Sequence, residues 1–404
     1  MTPKKAALRG SDVVGMGRLA FDAMFGLTDL VEAMHGTIVR RPAPIGAAGE
    51  THTRGLTRFV YQSIRSVTHV LGGGMDVLVP LLTPPVAEDT SSPRREVLVS
   101  VLNGVIGDHL VASENPLAIP MRFRRGGEPV ALSRDALAAL SPAPTGRVLV
   151  LVHGLCMNDQ QWLRNGNDHG EALARAFGFS PLYLHYNSGR HVSNNGREFA
   201  DRLAELIAAW PVPVDELVIV GHSMGGLVTR SACHYARLAG HGWLDRLSAL
   251  VFLGTPHHGA PLERAGNLFD LLLEISPYAA PIARIGGNRA AGINDLRHGN
   301  LLDEDWDGRH RRYRADPRTP VPLPDGVDCF AVATTRGRRD GDLRDRLLGD
   351  GLVPVASALG RHADERFTLA FPESHQLVVY ERDHFDLFDA PAIIDQLAIW
   401  LARP

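Results

Sequence analysis

Cysteine is scarce in this chain: 3 among 404 residues, at Cys156, Cys233 and Cys329. So small and odd a number is no disulfide framework, and nothing in the chain requires an oxidising compartment. None of the three stands in a CxxC or Cys/His spacing suited to zinc. A dominant charge is lacking as well. With 42 Lys+Arg against 45 Asp+Glu the formal net charge is −3, and the basic footprint of a nucleic-acid binder is missing. The one basic run, GRHRRYRADPR at 308–318, reads as a solvated loop, with contact to an anionic surface as the lesser alternative. No apolar run reaches the roughly 18 residues of a membrane span. VLGGGMDVLVPLL at 70–82 is interrupted by three glycines, an aspartate and a proline. The opening MTPKKAALRGSDVVG carries no apolar core and no cleavage site of a secretory signal. The expectation is a soluble, cytoplasmic protein, peripheral to a membrane at most.

What is present is ordinary globular material, 45% hydrophobic and 22% charged. Residues 1–115 are expected to be a helical N-terminal extension. Met16, Leu19, Ala23, Leu27, Leu30 and Met34 follow the three-and-four spacing of one helix face, as do Leu56, Val60, Ile64, Val67 and Leu71. A third helix is expected over 95–111, from Val97, Val101, Val105 and their neighbours. Such faces need an apolar partner. Packing on the main domain is the first expectation; a homodimer through these helices, or a lipid surface, is the alternative.

Residues 116–404 read as a second domain. IPMRFRRGGEPVAL (119–132) alternates around Gly126-Gly127 and predicts a hairpin. Beyond it, six short apolar runs begin at Arg147, Ser180, Leu217, Ala249, Val327 and His375, separated by amphipathic segments such as GREFADRLAELIAAW. Strand and helix in alternation predict a doubly wound α/β fold: a mostly parallel sheet with helices on both faces. One interval, about 259–324, holds no convincing strand. It contains the apolar piece NLFDLLLEI and is expected to form a lid or cap over the carboxyl ends of the strands, where such sheets bind ligands.

LVIVGHSMGG (217–226) ends a buried strand in a serine between glycines. Gly221-His222-Ser223-Met224-Gly225 matches G-x-S-x-G, with a strand before it and a helix after it. That context fits a nucleophile elbow, where a sharp turn projects the hydroxyl of Ser223 from the sheet. A plain turn with a capping serine would not favour small residues on both sides. A nucleophilic hydroxyl needs a base, and the oxyanion it generates needs donors. The backbone amide of Leu155, after the strand ending in LVHG, and that of Met224 are the candidate donors. His153 and His222 are expected to be structural.

If the order is serine, acid, histidine, the base lies late in the chain. His384 follows the last strand and precedes the terminal helix, and is the choice; His375 is the runner-up. The acid should follow the fifth strand. Asp340, Asp342, Asp345, Asp350 and Asp364 compete there, and Asp350, between two glycines and before an apolar run, is the best suited to burial. The others stand among arginines and read as solvated.

Together LVHGLCMND, VGHSMGG, LGTPHHGAP, GDGLVPVASALG and DHFDLF resemble the α/β-hydrolase superfamily, close to bacterial lipases and esterases, over about 147–402. The resemblance implies Ser223 as nucleophile, Asp350 as acid, His384 as base and the amides of Leu155 and Met224 as oxyanion hole. Some such lipases hold a calcium ion near the final histidine. Asp386 stands at a matching position, but one carboxylate does not make an oxygen-donor site, so no metal is expected, and no cofactor is implied. The absence of a signal segment favours an esterase over a secreted lipase. The expected substrate is a small-molecule or lipid ester. The same triad could serve an acyltransferase or amidase, and a non-catalytic lipid-binding protein on this fold is the alternative of a different class.

Overall fold

The computed structural model describes residues 93–260, 290–306, 316–339 and 349–402, together with 11, 14, 15, 17 and 18. The helix patterns at 16–34 and 56–71, the segment 70–82, the NLFDLLLEI piece, most of the basic run at 308–318, and Asp340, Asp342 and Asp345 lie outside the described residues. The chain divides into two compact units, Met1–Ser92 with Ala112–Leu117, and Pro93–Val111 with Ala118–Pro404. In the first, Asn115 Nδ2 donates to Gly15 O at 3.1 Å and Arg18 donates to Glu114 O at 2.7 Å. The third expected helix, α1 (Pro93–Ala112), breaks its geometry at Ile106, and nearly all of it clusters with the second unit.

That unit is built on one eight-stranded sheet. A short hairpin, β1 (Arg122–Arg125) and β2 (Glu128–Pro129), turns through Gly126-Gly127. It precedes β3 (Arg147–Val152), β4 (Ser180–His185), β5 (Glu216–His222), β6 (Leu247–Leu253), β7 (Asp328–Thr335) and β8 (Gln376–Tyr380). The spatial order is β2-β1-β4-β3-β5-β6-β7-β8. β1 runs antiparallel to β4, and every pair from β4 to β8 is parallel. All six runs expected as strands form them. β3, β4 and β5 are buried almost without interruption, which explains why their sequences are apolar throughout instead of alternating.

The longer helices are α2 (His169–Phe177), α3 (Val192–Ala209), α4 (Met224–Ala239), α5 (Ala291–His298) and α6 (Pro391–Leu401). Asp168 accepts from Glu171 N and caps the start of α2. Gly196 of α3 stands directly on Ser231 of α4. Among the described residues, the interval 259–324 contributes helical turns and no strand.

Chain order reverses at β3, with β4 on one side and β5 on the other. Connections therefore leave opposite faces there and open a crevice at the carboxyl ends. The register pairs Val152 with Gly221, so the segment after β3 and the turn after β5 emerge side by side.

Candidate active site

Ser223 stands in the turn between β5 and α4, at the N-cap of the helix, with φ 52° and ψ −123°, a conformation a side-chain-bearing residue adopts only under constraint. The constraint is visible in its neighbours. Ser223 N donates to Leu253 O at 2.8 Å, and Gly226 N donates to Ser223 O at 3.0 Å. A Cβ on Gly221 would stand 2.7 Å from Gly226 Cα, and one on Gly225 would stand 2.7 Å from His153 O. Both glycines are therefore required where strand, turn and helix cross. Ser223 is 7% exposed.

The acid and base arrive from the next strands. Asp350 sits between Gly349 (φ 54°) and Gly351 (φ 102°) in the tight turn beyond β7. Its Oδ1 accepts from Leu352 N at 2.9 Å and Val353 N at 2.8 Å. Its Oδ2 accepts from Thr334 Oγ1 at 3.3 Å and pairs with His384 Nδ1 at 2.6 Å. Both side chains are sealed, Asp350 at 1% and His384 at 2% exposure. A carboxylate oxygen facing Nδ1 at this distance favours the tautomer that carries the imidazole proton on Nδ1. His384 opens a short turn whose capping box is closed by Asp383 and Asp386. Asp386, the residue singled out for calcium, spends its Oδ2 on Asp383 N at 3.0 Å. The turn is also held by His169, whose Nε2 bonds Leu387 O at 2.8 Å.

Ser223 and His384 line one cavity, with Leu155, Met157, Leu296, Leu352 and Val353 as its apolar walls. No hydrogen bond joins Ser223 Oγ to His384 in this structure. Leu155 follows β3 in the loop facing the serine. Gly154 lies so close that a Cβ on it would be 3.1 Å from Ser223 Cβ. Met224 is the first residue of α4, among the amides a helix leaves unpaired.

The remaining candidates have other work. His153 is buried; its Nδ1 bonds Gly154 O at 2.8 Å, and its Nε2 accepts from Tyr186 N at 3.4 Å. Burial holds it down at about 4. His222 lies between the rings of His384 (4.8 Å) and Phe388 (4.2 Å). Burial, followed by the neighbouring His384, keeps it well below the ordinary histidine value, so it packs as a neutral ring. His375 bonds Cys329 O at 3.1 Å at the opposite end of β8 from His384. Asp364 pairs with Arg366 on the surface, which holds its carboxyl down at about 2. The three cysteines are buried and free.

Two features were not foreseen. Gly104 of α1 touches the loop after β3: a Cβ there would stand 2.8 Å from Cys156 Cα and 2.9 Å from Cys156 N. Cys156 itself is left-handed, at φ 62°, and its N–H donates to Ser188 Oγ at 2.9 Å. The backbone beside Leu155 is thus wedged between α1 and the segment after β4. The second feature is a buried ion cluster. Arg124 Nη1 of β1 meets Asp159 Oδ1 at 2.8 Å and Glu96 Oε2 of α1 at 3.1 Å, tying α1 to the end of the same loop. The pairing of glycine with cysteine across 52 positions has no local signal; the short spacing of Gly104 and Gly107 was the only hint.

A family model described as "PGAP1-like alpha/beta domain" matches residues 143–280, which run from just before β3 to beyond β6. Among solved structures, the chain is similar to the mature lipase BlEst2 of Bacillus licheniformis at 20% identity and a TM-score of 0.43, over 70% of this chain and 98% of that one. It is similar to lipase 1 of Pelosinus fermentans at 14% and 0.38, over 64% and 99% respectively. A lipase-esterase related protein from Clostridium acetobutylicum gives 13% and 0.33, over 64% and 93%. No curated protein matches the chain. The strand order, the crevice at β3 and the matched family model identify an α/β-hydrolase fold.

Proposed function

We propose that the protein is a serine hydrolase of carboxylic esters, an esterase or lipase, with Ser223 as nucleophile, His384 as base and Asp350 as the orienting acid. The observation that carries the reading is the 2.6 Å contact of His384 Nδ1 with the buried Asp350 carboxylate, in a cavity whose wall His384 shares with Ser223. With Nδ1 committed to Asp350, Nε2 is the nitrogen left for the serine proton. Serine–base contacts of this kind tighten when substrate binds.

Ser223 Oγ attacks the acyl carbon as Nε2 takes its proton. The carbonyl oxygen becomes an oxyanion held by the amides of Leu155 and Met224. Collapse expels the alcohol, which takes the proton from His384 and leaves an acyl group on Ser223. Water, deprotonated by the same ring, attacks the acyl carbon, and the acid departs as Ser223 regains its proton. Asp350 keeps the imidazole in its tautomer and stabilises its charged form. The apolar walls at Leu155, Met157, Leu296, Leu352 and Val353 suit the hydrocarbon of an acyl group. A cytoplasmic location, peripheral to a membrane at most, is part of the same proposal.

The test is hydrolysis of p-nitrophenyl esters of increasing chain length by the wild type and by Ser223→Ala. Turnover that vanishes in the variant supports the reading, and the chain-length optimum separates esterase from lipase. Turnover retained by Ser223→Ala refutes it.

A further inference from the structure

We propose a second ligand site, on the outer flank of α4, that binds a small organic monocarboxylate. The site is distinct from the cavity at Ser223, and the inference stands independently of the ester-hydrolase reading.

Arg230, two turns into α4, is only 4% exposed. Its Nη1 reaches His257 Nδ1 at 3.3 Å and its Nη2 donates to Val321 O. Its Nε has no hydrogen-bond partner. Among the described residues no carboxylate forms an ion pair with it, unlike Arg124 and Arg318, which are buried against Asp159 and Asp316. A buried guanidinium is retained at a cost unless an anion answers it. Burial lowers this group only to about 9, so it keeps its charge at neutral pH.

Arg230 forms part of the wall of a cavity of about 150 Å³. His234 and Arg237 line the same cavity. Residues 230, 234 and 237 recur at the four-and-three spacing of one helix face, so three nitrogen-rich side chains line the cavity from one element. The facing walls are apolar, with Leu244, Val321 and Val327. Burial holds His234 below its usual value, so near pH 7 it is a neutral donor. The wall has a single acid, Asp325, which is exposed.

The chemistry of the walls selects the ligand. A carboxylate matches the planar fork of a guanidinium. An inorganic phosphate would set its remaining oxygens against Leu244 and Val321 without partners. A cavity of this volume accommodates a body the size of benzene, so hexanoate and benzoate are suitable probes.

The experiment is calorimetric titration of sodium hexanoate into the full-length wild type, Arg237→Ala and Arg230→Met, with hexanol, chloride and phosphate as controls. Saturable hexanoate binding is expected in the wild type. It should weaken about tenfold in Arg237→Ala, the worth of one charge-assisted hydrogen bond, and be lost in Arg230→Met; hexanol should not bind. Arg237 is exposed, so its variant decides the matter if Arg230→Met fails to fold. No saturable binding at millimolar hexanoate overturns the proposal, as does binding unchanged in Arg237→Ala when Arg230→Met also binds or is unfolded. Chloride or phosphate binding as tightly as hexanoate overturns it too, leaving a site for inorganic anions alone.

Discussion

His384 and Asp350, 34 residues apart in the chain, meet at 2.6 Å through Nδ1 and Oδ2 in a site from which both side chains are shut off from solvent. The remaining lone pairs of that carboxylate are met by Leu352 N, Val353 N and Thr334 Oγ1. Replacing Asp350 by Asn keeps the volume but presents an amide donor where an acceptor is needed. The ring would then be held in the wrong tautomer. Ester turnover by Asp350→Asn should fall roughly 10⁴-fold in kcat, whereas Asp364→Asn, on the surface beside Arg366, should leave it within about twofold. Steady-state kinetics on the two purified variants measures this directly.

The contact of Gly104 with Cys156 makes α1 a support for the loop that carries Leu155, the proposed oxyanion donor. In Gly104→Ala the new methyl meets backbone at Cys156, and the loop must move. A displaced oxyanion donor lowers kcat far more than it raises KM, because the lost hydrogen bond forms in the transition state. A drop of about tenfold or more in kcat is expected, with KM little changed. An equal change in stability without a kinetic effect would make α1 a packing element only.

Arg124 answers two buried carboxylates, Glu96 and Asp159. Burial already pushes the Asp159 carboxyl upward against the pull of Arg124. Removing the cation in Arg124→Met leaves the buried Asp159 carboxylate without its ion-pair partner, which costs about 3–5 kcal/mol. Urea unfolding at pH 7 should show a lower midpoint, and lowering the pH to 5 should narrow the gap as Asp159, already raised by burial, takes up a proton.

His153 titrates at about 4, below the ordinary 6.5, because burial disfavours its charged form. Between those values the unfolded chain binds a proton that the folded chain refuses. Stability from this group is therefore complete above about pH 6.5 and lost as pH falls towards 4. A shift of this size is worth about 3 kcal/mol. His185, His222 and His257 are shifted the same way by burial and add to the slope. Urea midpoints should decline steadily from pH 7 to pH 4.5, and His153→Phe, stacked on Tyr186 as the native ring is, should show a shallower decline.

Much of this molecule is legible in its sequence because the signals are local. β3 and β5 announce themselves as continuous apolar runs, and GHSMG needs only its own strand and helix to be read. Asp350 stands out among five aspartates because it lies between two glycines and before an apolar run; in the structure both glycines adopt positive φ. The rest depends on contacts between distant segments. Nothing near Gly104 or Cys156 indicates that they touch, and nothing around Arg124 indicates that it draws Glu96 and Asp159 together. Arg230 reads as one more polar residue of an amphipathic helix, and its burial follows only from where 257 and 321 come to rest. The packing of α1, nearly all of which clusters with the sheet's unit, is likewise not a property of its own sequence.

The central claim is that one hydroxyl, that of Ser223, reacts because His384 serves it. The most direct measurement is intact-mass and peptide analysis of the protein after exposure to an alkyl fluorophosphonate. The account predicts a single adduct on the peptide containing Ser223, absent in Ser223→Ala and strongly slowed in His384→Ala. An adduct that persists in Ser223→Ala, or labelling at an undiminished rate in His384→Ala, would contradict it.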